Sequence, residues 1–165
     1  FGLCFTNGKH YSEFLLEKYP ELKKLENGKV FNKNNQEIGT HKGYPFYTIG
    51  QYKGLNCEGK QYINKIIAEE NAIFVGEKSE CYFSTLRLNS LVFSQNIENI
   101  KLNTQYLTKI RGKDEGNFAT LIEISSNHSI IEFSQRVFAP MQGQDVVVYD
   151  ENNFILFGGR IEAFS

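Results

Sequence analysis

The most reactive side chains in this sequence are the thiols of its three cysteines, Cys4, Cys57 and Cys81. A cysteine thiolate is both a nucleophile and a metal ligand. The odd number of cysteines and the lack of a CxxC pair fit neither a disulfide framework nor a zinc site. We therefore predict no metal site, and we expect reduced thiols, as in a cytoplasmic protein.

A second group of chemically active side chains lies in residues 41–55, which read His-Lys-Gly-Tyr-Pro-Phe-Tyr-Thr-Ile-Gly-Gln-Tyr-Lys-Gly-Leu. Glycine, aromatic residues and hydrogen-bond donors are dense here, and their spacing follows neither the helical nor the strand period. Such a stretch is typical of a shaped loop. Shaped loops carry binding residues, but they also pack small domains together, and both roles are open for this segment.

One helix is predicted near the start of the chain. In residues 9–19 the apolar side chains recur every three or four positions, which is the spacing of one helical face, and Asn7 is the predicted N-cap. Pro20 ends this pattern because it lacks the N–H that a continuing helix needs. Residues 21–28 then read as a polar connector.

The rest of the chain is predicted to be β-rich, because turn signals recur every eight to twelve residues or so. We predict one hairpin that turns at Asn34-Asn35 and a second that turns at Glu70-Asn71, since asparagine tolerates the left-handed conformation. Six later strands are predicted at 85–93, 104–111, 118–125, 129–133, 145–149 and 154–163. Strands this short and this numerous favour a small closed barrel, which has no unpaired edge strands that could aggregate.

The predicted fold class is therefore mainly β with one N-terminal helix, with a small β-rich central domain followed by a six-stranded β-barrel. The predicted domains are 1–27, a segment with Cys4 and the helix; 28–82, the central β-rich domain; and 83–165, the barrel. At 165 residues the chain is long enough for two small cores.

Composition narrows the class of partner. The chain has 18 Lys and Arg residues against 19 Asp and Glu, so its formal charge of −1 excludes a protein that coats polyanions, and any nucleic-acid contact must be local. A hydrophobic share of 41% with 14 Phe and 9 Tyr argues against disorder. No stretch has the length and apolarity of a membrane span, so we expect a cytoplasmic protein with no membrane partner.

Three sets of residues carry motifs at fixed spacing. They are Phe-Gly-Leu-Cys-Phe at 1–5, the segment 41–55, and a diffuse set made of Lys109-Ile-Arg111, Ser134-Gln-Arg136, Pro140, Gly143-Gln144, Val148-Tyr149-Asp150 and Gly158-Gly159. Together these motifs resemble the C-terminal half of the tRNA-specific 2-thiouridylase family over nearly the whole chain. Segment 41–55 is the most specific, because roughly a dozen positions at fixed spacing rarely recur by chance.

The resemblance implies an enzyme, a tRNA-uridine 2-sulfurtransferase, in the full-length protein. The family activates the carbonyl oxygen of the wobble uridine with ATP and then delivers sulfur from a cysteine persulfide. Its N-terminal nucleotide-binding domain has no counterpart in this sequence, so we expect the chain to bind no cofactor itself and to be inactive alone. The implied partners are the anticodon arm of tRNA, a sulfur-carrier protein or cysteine desulfurase, and that N-terminal domain, which holds ATP.

Particular residues take roles from the resemblance. Cys4 would be the catalytic residue that bears the persulfide, and its position just before a helix favours the thiolate. The implied RNA-binding residues are Lys9, His41, Tyr47, Thr48, Gln51, Lys53, Arg111, Gln135 and Arg136. Without the resemblance, Cys4 would read as a small core residue and the basic residues as solvated surface.

The sequence departs from the family pattern at two of these motifs. Where the family has Gln-Arg-Lys-Gly, this chain has Gln51-Tyr-Lys-Gly54 and so loses a guanidinium that can grip phosphate with two parallel bonds. The family's Pro-Gly-Gln is expanded here to Pro140-Met-Gln-Gly143-Gln144. Both changes predict altered contacts with tRNA.

A second hypothesis belongs to a different functional class. The chain could instead be a non-catalytic β-barrel module that binds tRNA or a protein and carries an inert Cys4. The older methyltransferase naming attached to this family has no support in the sequence, which lacks a glycine-rich cofactor loop. The chemistry of Cys4 separates the enzyme from the binding module.

Overall fold

A computed structural model describes residue 8 and residues 10–111 and 115–165. The predictions at Cys4, Lys9 and Asn7 therefore lie outside the described residues. The chain divides into two compact units, of which unit 1 ends at Cys81 and unit 2 begins at Tyr82. Each unit is described by itself.

The α-helix of unit 1, α1, spans Tyr11–Lys18. Its N-cap is His10, whose Nδ1 accepts a 3.4 Å hydrogen bond from the Ser12 N–H, so the expectation that Asn7 caps this helix is corrected. A 3₁₀ helix over Pro20–Leu25 replaces the predicted connector. Proline is well tolerated at a first helical position, where no partner exists for its missing N–H.

Four strands form the sheet of unit 1: β1 Gly28–Phe31, β2 Glu37–His41, β3 Tyr62–Ile67 and β4 Ala72–Gly76. Their order is β2-β1-β4-β3, with β1 and β4 parallel and the other pairs antiparallel. Both predicted hairpins are confirmed, and each turn contains an asparagine with positive φ, Asn35 at 57° and Asn71 at 47°. Asparagine reaches this conformation at low cost because its short polar side chain can bond locally.

The core of unit 1 lies on this sheet and includes part of the segment between β2 and β3. Its buried residues are Val30, Tyr47, Ile63, Ile73 and Val75, against which Ile38, Phe46, Ile49, Leu55, Cys57 and Ile66 pack. Further 3₁₀ helices span Tyr44–Phe46 and Lys78–Cys81. Residues 41–55 thus share a core with the sheet.

Unit 2 is a closed antiparallel barrel of six strands, which confirms the predicted fold class. The strands are β5 Tyr82–Phe93, β6 Gln105–Lys109, β7 Asn117–Ile124, β8 His128–Phe138, β9 Asp145–Tyr149 and β10 Ile155–Phe164, and their order around the barrel is β10-β5-β8-β7-β6-β9. A 3₁₀ helix over Ile97–Asn99 follows β5. The largest fully buried side chains of the barrel are Leu86, Leu88, Leu121, Ile131, Val146, Val148, Phe157 and Ile161.

Strand β8 continues past Phe133, where the predicted strand ends, to Phe138. Residues 134–136 are all exposed and polar, which resembles a loop in the sequence. The pairing of β5 with β8 changes register between Phe83 and Thr85. Residues 134–136 therefore belong to β8 as an irregularity in this pairing. None of the helices in residues 10–111 and 115–165 has the length and apolar character of a membrane span.

Candidate nucleic-acid interface

Residues 41–55, called the signature loop below, are closed at their base by a short bridge. The N–H of Asn56 donates to the carbonyl of Thr40 at 3.2 Å, and the N–H of Thr40 donates back at 3.4 Å. A Cβ on Gly39 would overlap the carbonyl oxygen of Asn56, so glycine is required for the two backbones to approach this closely. The loop therefore begins and ends at a fixed point of the sheet.

His41 is buried at the start of the loop, with 4% of its surface exposed. Its Nδ1 accepts a 3.0 Å hydrogen bond from the Gly43 N–H, so we assign the ring proton to Nε2, which donates to the carbonyl of Asn71 at 3.1 Å. Burial lowers the pKa of His41 below its ordinary value of 6.5, and the bond to Asn71 partly opposes this shift. Both ring nitrogens of His41 therefore have hydrogen-bond partners within unit 1, and the imidazole is uncharged.

Tyr47 joins the two ends of the loop. Its ring is 7% exposed and meets the ring of His41 edge-on at 5.4 Å. Its hydroxyl donates to the carbonyl of Gly54 at 2.8 Å and accepts from the Lys42 N–H at 3.3 Å. Gly54 has a φ of 86°, a backbone conformation that residues other than glycine adopt only with strain.

Thr48 and Gln51 form a turn in the middle of the loop. The side-chain oxygen of Gln51 accepts from the Thr48 N–H at 3.3 Å, and its amide nitrogen donates to the carbonyl of Lys53 at 2.7 Å. The carbonyl of Gln51 also accepts from the Ile63 N–H at 2.9 Å, which attaches the loop to the start of β3. Gln51 thus fixes the backbone on both sides of Tyr52.

Asn71 is an organising residue that the sequence identified only as a turn. Its amide nitrogen donates to the carbonyl of Leu25 at 2.8 Å, and its side-chain oxygen accepts from the Tyr44 N–H at 3.2 Å. With its carbonyl bonded to His41, this residue connects the 3₁₀ helix, the loop and the β3–β4 turn. A local pattern reveals the turn but not partners this distant in sequence.

Two tyrosines and two lysines from the end of the loop and the residues after it form a group that we call the tyrosine–lysine patch; Tyr62 is half-buried and the other three are exposed. It consists of Tyr52, Lys53, Lys60 and Tyr62. The Tyr52 and Tyr62 ring centroids are 5.3 Å apart, and the ammonium of Lys60 lies 4.8 Å from the Tyr52 centroid and 5.8 Å from that of Tyr62. The sequence had named only Lys53 for RNA binding, because Lys60 and Tyr62 fall outside the motif.

The three predicted site residues of unit 2 differ in their surroundings. Arg111 is half-buried, and its Nη2 donates to the carbonyls of Phe138 at 3.2 Å and Ala139 at 2.7 Å. Gln135 and Arg136 are both exposed, in the irregular part of β8. Arg111 is therefore engaged within the barrel, whereas the side chains of Gln135 and Arg136 face solvent.

The structure thus gathers His41, Tyr47, Thr48, Gln51 and Lys53 in one loop of unit 1, and it places Arg111, Gln135 and Arg136 in the barrel. Cys4 and Lys9 lie outside the described residues. Among the residues that the structure describes, no group of three or more His, Cys, Asp or Glu side chains could hold a metal ion.

The two described cysteines are protonated thiols at neutral pH. Burial raises the pKa of Cys57, which is half-buried, and that of Cys81, which is fully buried. The sulfur of Cys81 donates to the carbonyl of Ile63 at 3.3 Å. Neither environment favours the thiolate that nucleophilic chemistry requires.

Comparisons with known proteins agree with the motifs. Residues 12–77 match the family model of the tRNA methyl transferase PRC-barrel domain. The tRNA-specific 2-thiouridylase MnmA of Petrotoga mobilis is 31% identical over 163 residues, which are 96% of this chain and 42% of the relative. The protein of the same name from Chlorobium phaeobacteroides is 31% identical over 170 residues, 99% of this chain and 46% of the relative.

A third relative, the tRNA-specific 2-thiouridylase MnmA of Symbiobacterium thermophilum, is 33% identical over 162 residues, 97% of this chain and 40% of the relative. The chain therefore spans less than half the length of the curated relatives that it matches. Over nearly all of its own length, this chain is similar to proteins named as tRNA-specific 2-thiouridylases, which confirms the resemblance seen in its motifs.

Proposed function

We propose that this chain is the sulfur-carrying and tRNA-holding part of a tRNA-modifying sulfurtransferase that 2-thiolates wobble uridine. The observation that carries the proposal is similarity over 96–99% of the chain to proteins named as tRNA-specific 2-thiouridylases. The substrate class is tRNA, in agreement with the name of the domain family that matches residues 12–77. The contact region on the tRNA is the anticodon arm.

Cys4 carries the transferable sulfur in this proposal. ATP adenylates the oxygen of the uracil carbonyl with loss of pyrophosphate. The terminal sulfur of a Cys4 persulfide then attacks the carbon of that carbonyl, and AMP leaves. A second cysteine thiolate then attacks the Cys4 sulfur, which releases thiouridine and leaves a disulfide for a thiol reductant to reopen. The raised pKa values of Cys57 and Cys81 support the choice of Cys4 over either of them.

The signature loop presents a rigid surface to the tRNA in this proposal. Direct contacts come from Lys9 and from the exposed side chains of Lys53, Gln135 and Arg136. The side chains of His41, Tyr47, Gln51 and Arg111 act mainly as positioning residues, because their described hydrogen bonds lie within their own units. Thr48 belongs to the same turn through its backbone N–H, which donates to Gln51. Contacts of Lys53 and Arg136 with phosphate groups set the register of an RNA without reading its sequence.

Other components complete the reaction in this proposal. A nucleotide-binding domain, which this chain does not supply, binds ATP and provides the second cysteine. A sulfur-carrier protein or a cysteine desulfurase loads Cys4. The formal charge of −1 is consistent with a chain that grips tRNA weakly without that domain.

A thiolation assay tests the proposed function. The protein that contains this chain together with a nucleotide-binding domain is incubated with unmodified tRNA, ATP and a persulfide donor, and 2-thiouridine is measured by mass spectrometry of the digested tRNA. We expect ATP-dependent 2-thiouridine from the whole protein and none from residues 1–165 alone. Binding of tRNA without any thiolation by the whole protein would instead support the non-catalytic binding module.

A further inference from the structure

We propose that the tyrosine–lysine patch is a stacking site for an unpaired nucleotide of an RNA, with the base on the Tyr52 ring and a phosphate at Lys60. This inference rests on the proposed function for its class of partner. It adds a binding residue, Tyr52, at the position where the family pattern has arginine. It also adds Lys60 and Tyr62, which lie outside the signature loop.

The Tyr52 ring of the patch is open to solvent. The Tyr52 side chain is 42% exposed, so its ring does not belong to the core of unit 1. The Tyr62 ring packs against it at an interplanar angle of 48° and supports one side of the patch. An exposed aromatic face that a neighbouring ring holds in place is the kind of platform on which unpaired bases stack.

The cationic part of the patch has no anionic partner in the described structure. Neither Lys53 nor Lys60 forms an ion pair with a carboxylate among residues 10–111 and 115–165. Their ammonium groups lie 5.7 and 4.8 Å from the Tyr52 centroid, within the range of cation–π attraction. Positive charge is thus concentrated around one exposed ring, where a phosphate group next to a stacked base would lie.

The backbone that carries Tyr52 is fixed before any ligand binds. Gln51 is bonded to Ile63 through its carbonyl and to Lys53 through its side chain, and Gly54 is bonded to Tyr47. A residue between two such anchors loses little freedom on binding, so less of the interaction energy is spent on ordering. This preorganisation favours a binding role for Tyr52 over that of a surface residue without a ligand.

An acidic protein segment fits the patch less well than RNA does. Carboxylates could pair with Lys53 and Lys60, but they would leave the Tyr52 face without a partner. A nucleotide uses both features at once, because its base is planar and its phosphate is anionic. We therefore commit to RNA, and we make the acidic segment an outcome of the test.

The test compares two RNA probes by fluorescence anisotropy with the 165-residue chain. One probe is a hairpin with an unpaired loop, and the other is a blunt duplex of the same stem. We expect Tyr52→Ala to weaken binding of the hairpin roughly tenfold while barely changing that of the duplex, and Tyr52→Phe to keep hairpin affinity. Lys60→Ala should weaken both probes and reduce the salt dependence of binding, because it removes a phosphate contact.

Tyr19→Ala is the matched control. Tyr19 is 44% exposed and has the Lys18 ammonium 5.8 Å from its ring, yet no second aromatic ring is paired with it among the described residues. Its substitution should leave hairpin affinity unchanged, and circular dichroism confirms that each variant is folded.

The proposal fails if Tyr52→Ala binds the hairpin as well as the parent chain does, or if it loses hairpin and duplex equally. It also fails if the chain binds neither RNA, or if polyglutamate displaces the hairpin as well as unlabelled hairpin does, which would favour an acidic partner. A failure of this kind leaves the thiolation assay of the whole protein unaffected, so the two proposals fail separately.

Discussion

The hydroxyl of Tyr47 donates a 2.8 Å hydrogen bond to the carbonyl oxygen of Gly54. The two residues stand at opposite ends of the second half of the signature loop, and the ring of Tyr47 is part of the core of unit 1. A left-handed glycine and a buried phenol therefore fix the same turn. The motif residues at these positions specify the shape of the loop backbone. Exposed neighbours such as Tyr52 and Lys53 remain accessible to a binding partner.

Replacing Tyr47 with phenylalanine tests this account of the loop. The change keeps the ring and removes the donor to Gly54 and the acceptor of the Lys42 N–H, so we expect about 1 kcal/mol of local destabilisation. The measurement is amide hydrogen exchange at Lys42, whose protection should fall several-fold. Tyr52→Phe, which removes an exposed hydroxyl, is the control and should leave this protection unchanged. Equal protection in Tyr47→Phe and the parent chain would contradict the assigned bonds.

The stability of the loop should depend on pH through His41. Burial lowers the pKa of this imidazole in the folded chain below 6.5, the value that an exposed histidine has in the unfolded chain. The unfolded state therefore takes up a proton first as the pH falls. The stability that neutral His41 contributes is complete above about pH 6.5 and is lost as the pH falls from there toward the lower folded value.

Hydrogen exchange at Gly43 reports this pH effect, because its N–H donates to His41 Nδ1. We expect its protection factor to fall as the pH is lowered below about 6.5, and His41→Gln to abolish the dependence on pH. The amide of Gly50, which donates to the backbone carbonyl of Ile63, is the internal reference. A His41 resonance that titrates at or above 6.5 would contradict the burial that the structure assigns.

Asn71 should contribute more to stability than its position in a turn implies. Asn71→Ala removes the side-chain bonds with Leu25 and Tyr44, and we expect it to destabilise unit 1 by about 2 kcal/mol more than Asn35→Ala does. Asn35 is a matched control because it also has a positive φ but is exposed, so the backbone strain is common to both variants. Urea unfolding followed by NMR signals of unit 1 measures the difference. Equal destabilisation would mean that the backbone conformation alone matters.

Local patterns in the sequence were sufficient for most of the fold. The hairpins at Asn35 and Asn71 and the six barrel strands follow from turn chemistry and alternation over a few residues, and the structure confirms them. The end of β8 was misplaced because residues 134–136 are polar and exposed while still belonging to a strand. A strand that pairs irregularly has no clean period to detect.

The candidate site could be predicted only in part, because its contacts join residues that are distant in sequence. Asn71 bonds to Leu25 and Tyr44, and the ring of Tyr52 meets that of Tyr62 across the end of the loop. The motif located the loop, but it could not separate His41 and Tyr47, which are buried, from Lys53, which is exposed. Burial depends on the whole unit, and no single motif encodes it.

Two arginines of unit 2, Arg111 and Arg136, should respond differently to truncation. Arg111→Ala removes a donor to the carbonyls of Phe138 and Ala139, so we expect it to destabilise the barrel by roughly 1–3 kcal/mol. Arg136→Ala, at an exposed position, should change stability by less than about 0.5 kcal/mol and weaken tRNA binding. Thermal unfolding and a tRNA-binding titration measure both effects. Loss of tRNA affinity without loss of stability in Arg111→Ala would assign that residue to direct RNA contact.

The central claim is that Cys4 carries the sulfur, and one measurement tests it most directly. The 2-thiouridine content of tRNA is determined by mass spectrometry in cells that depend on the whole protein, with Cys4→Ala compared against Cys57→Ala, a half-buried thiol with a raised pKa. We expect Cys4→Ala to abolish 2-thiouridine while binding tRNA as the parent protein does, and Cys57→Ala to retain it. Unchanged 2-thiouridine in Cys4→Ala would contradict the claim.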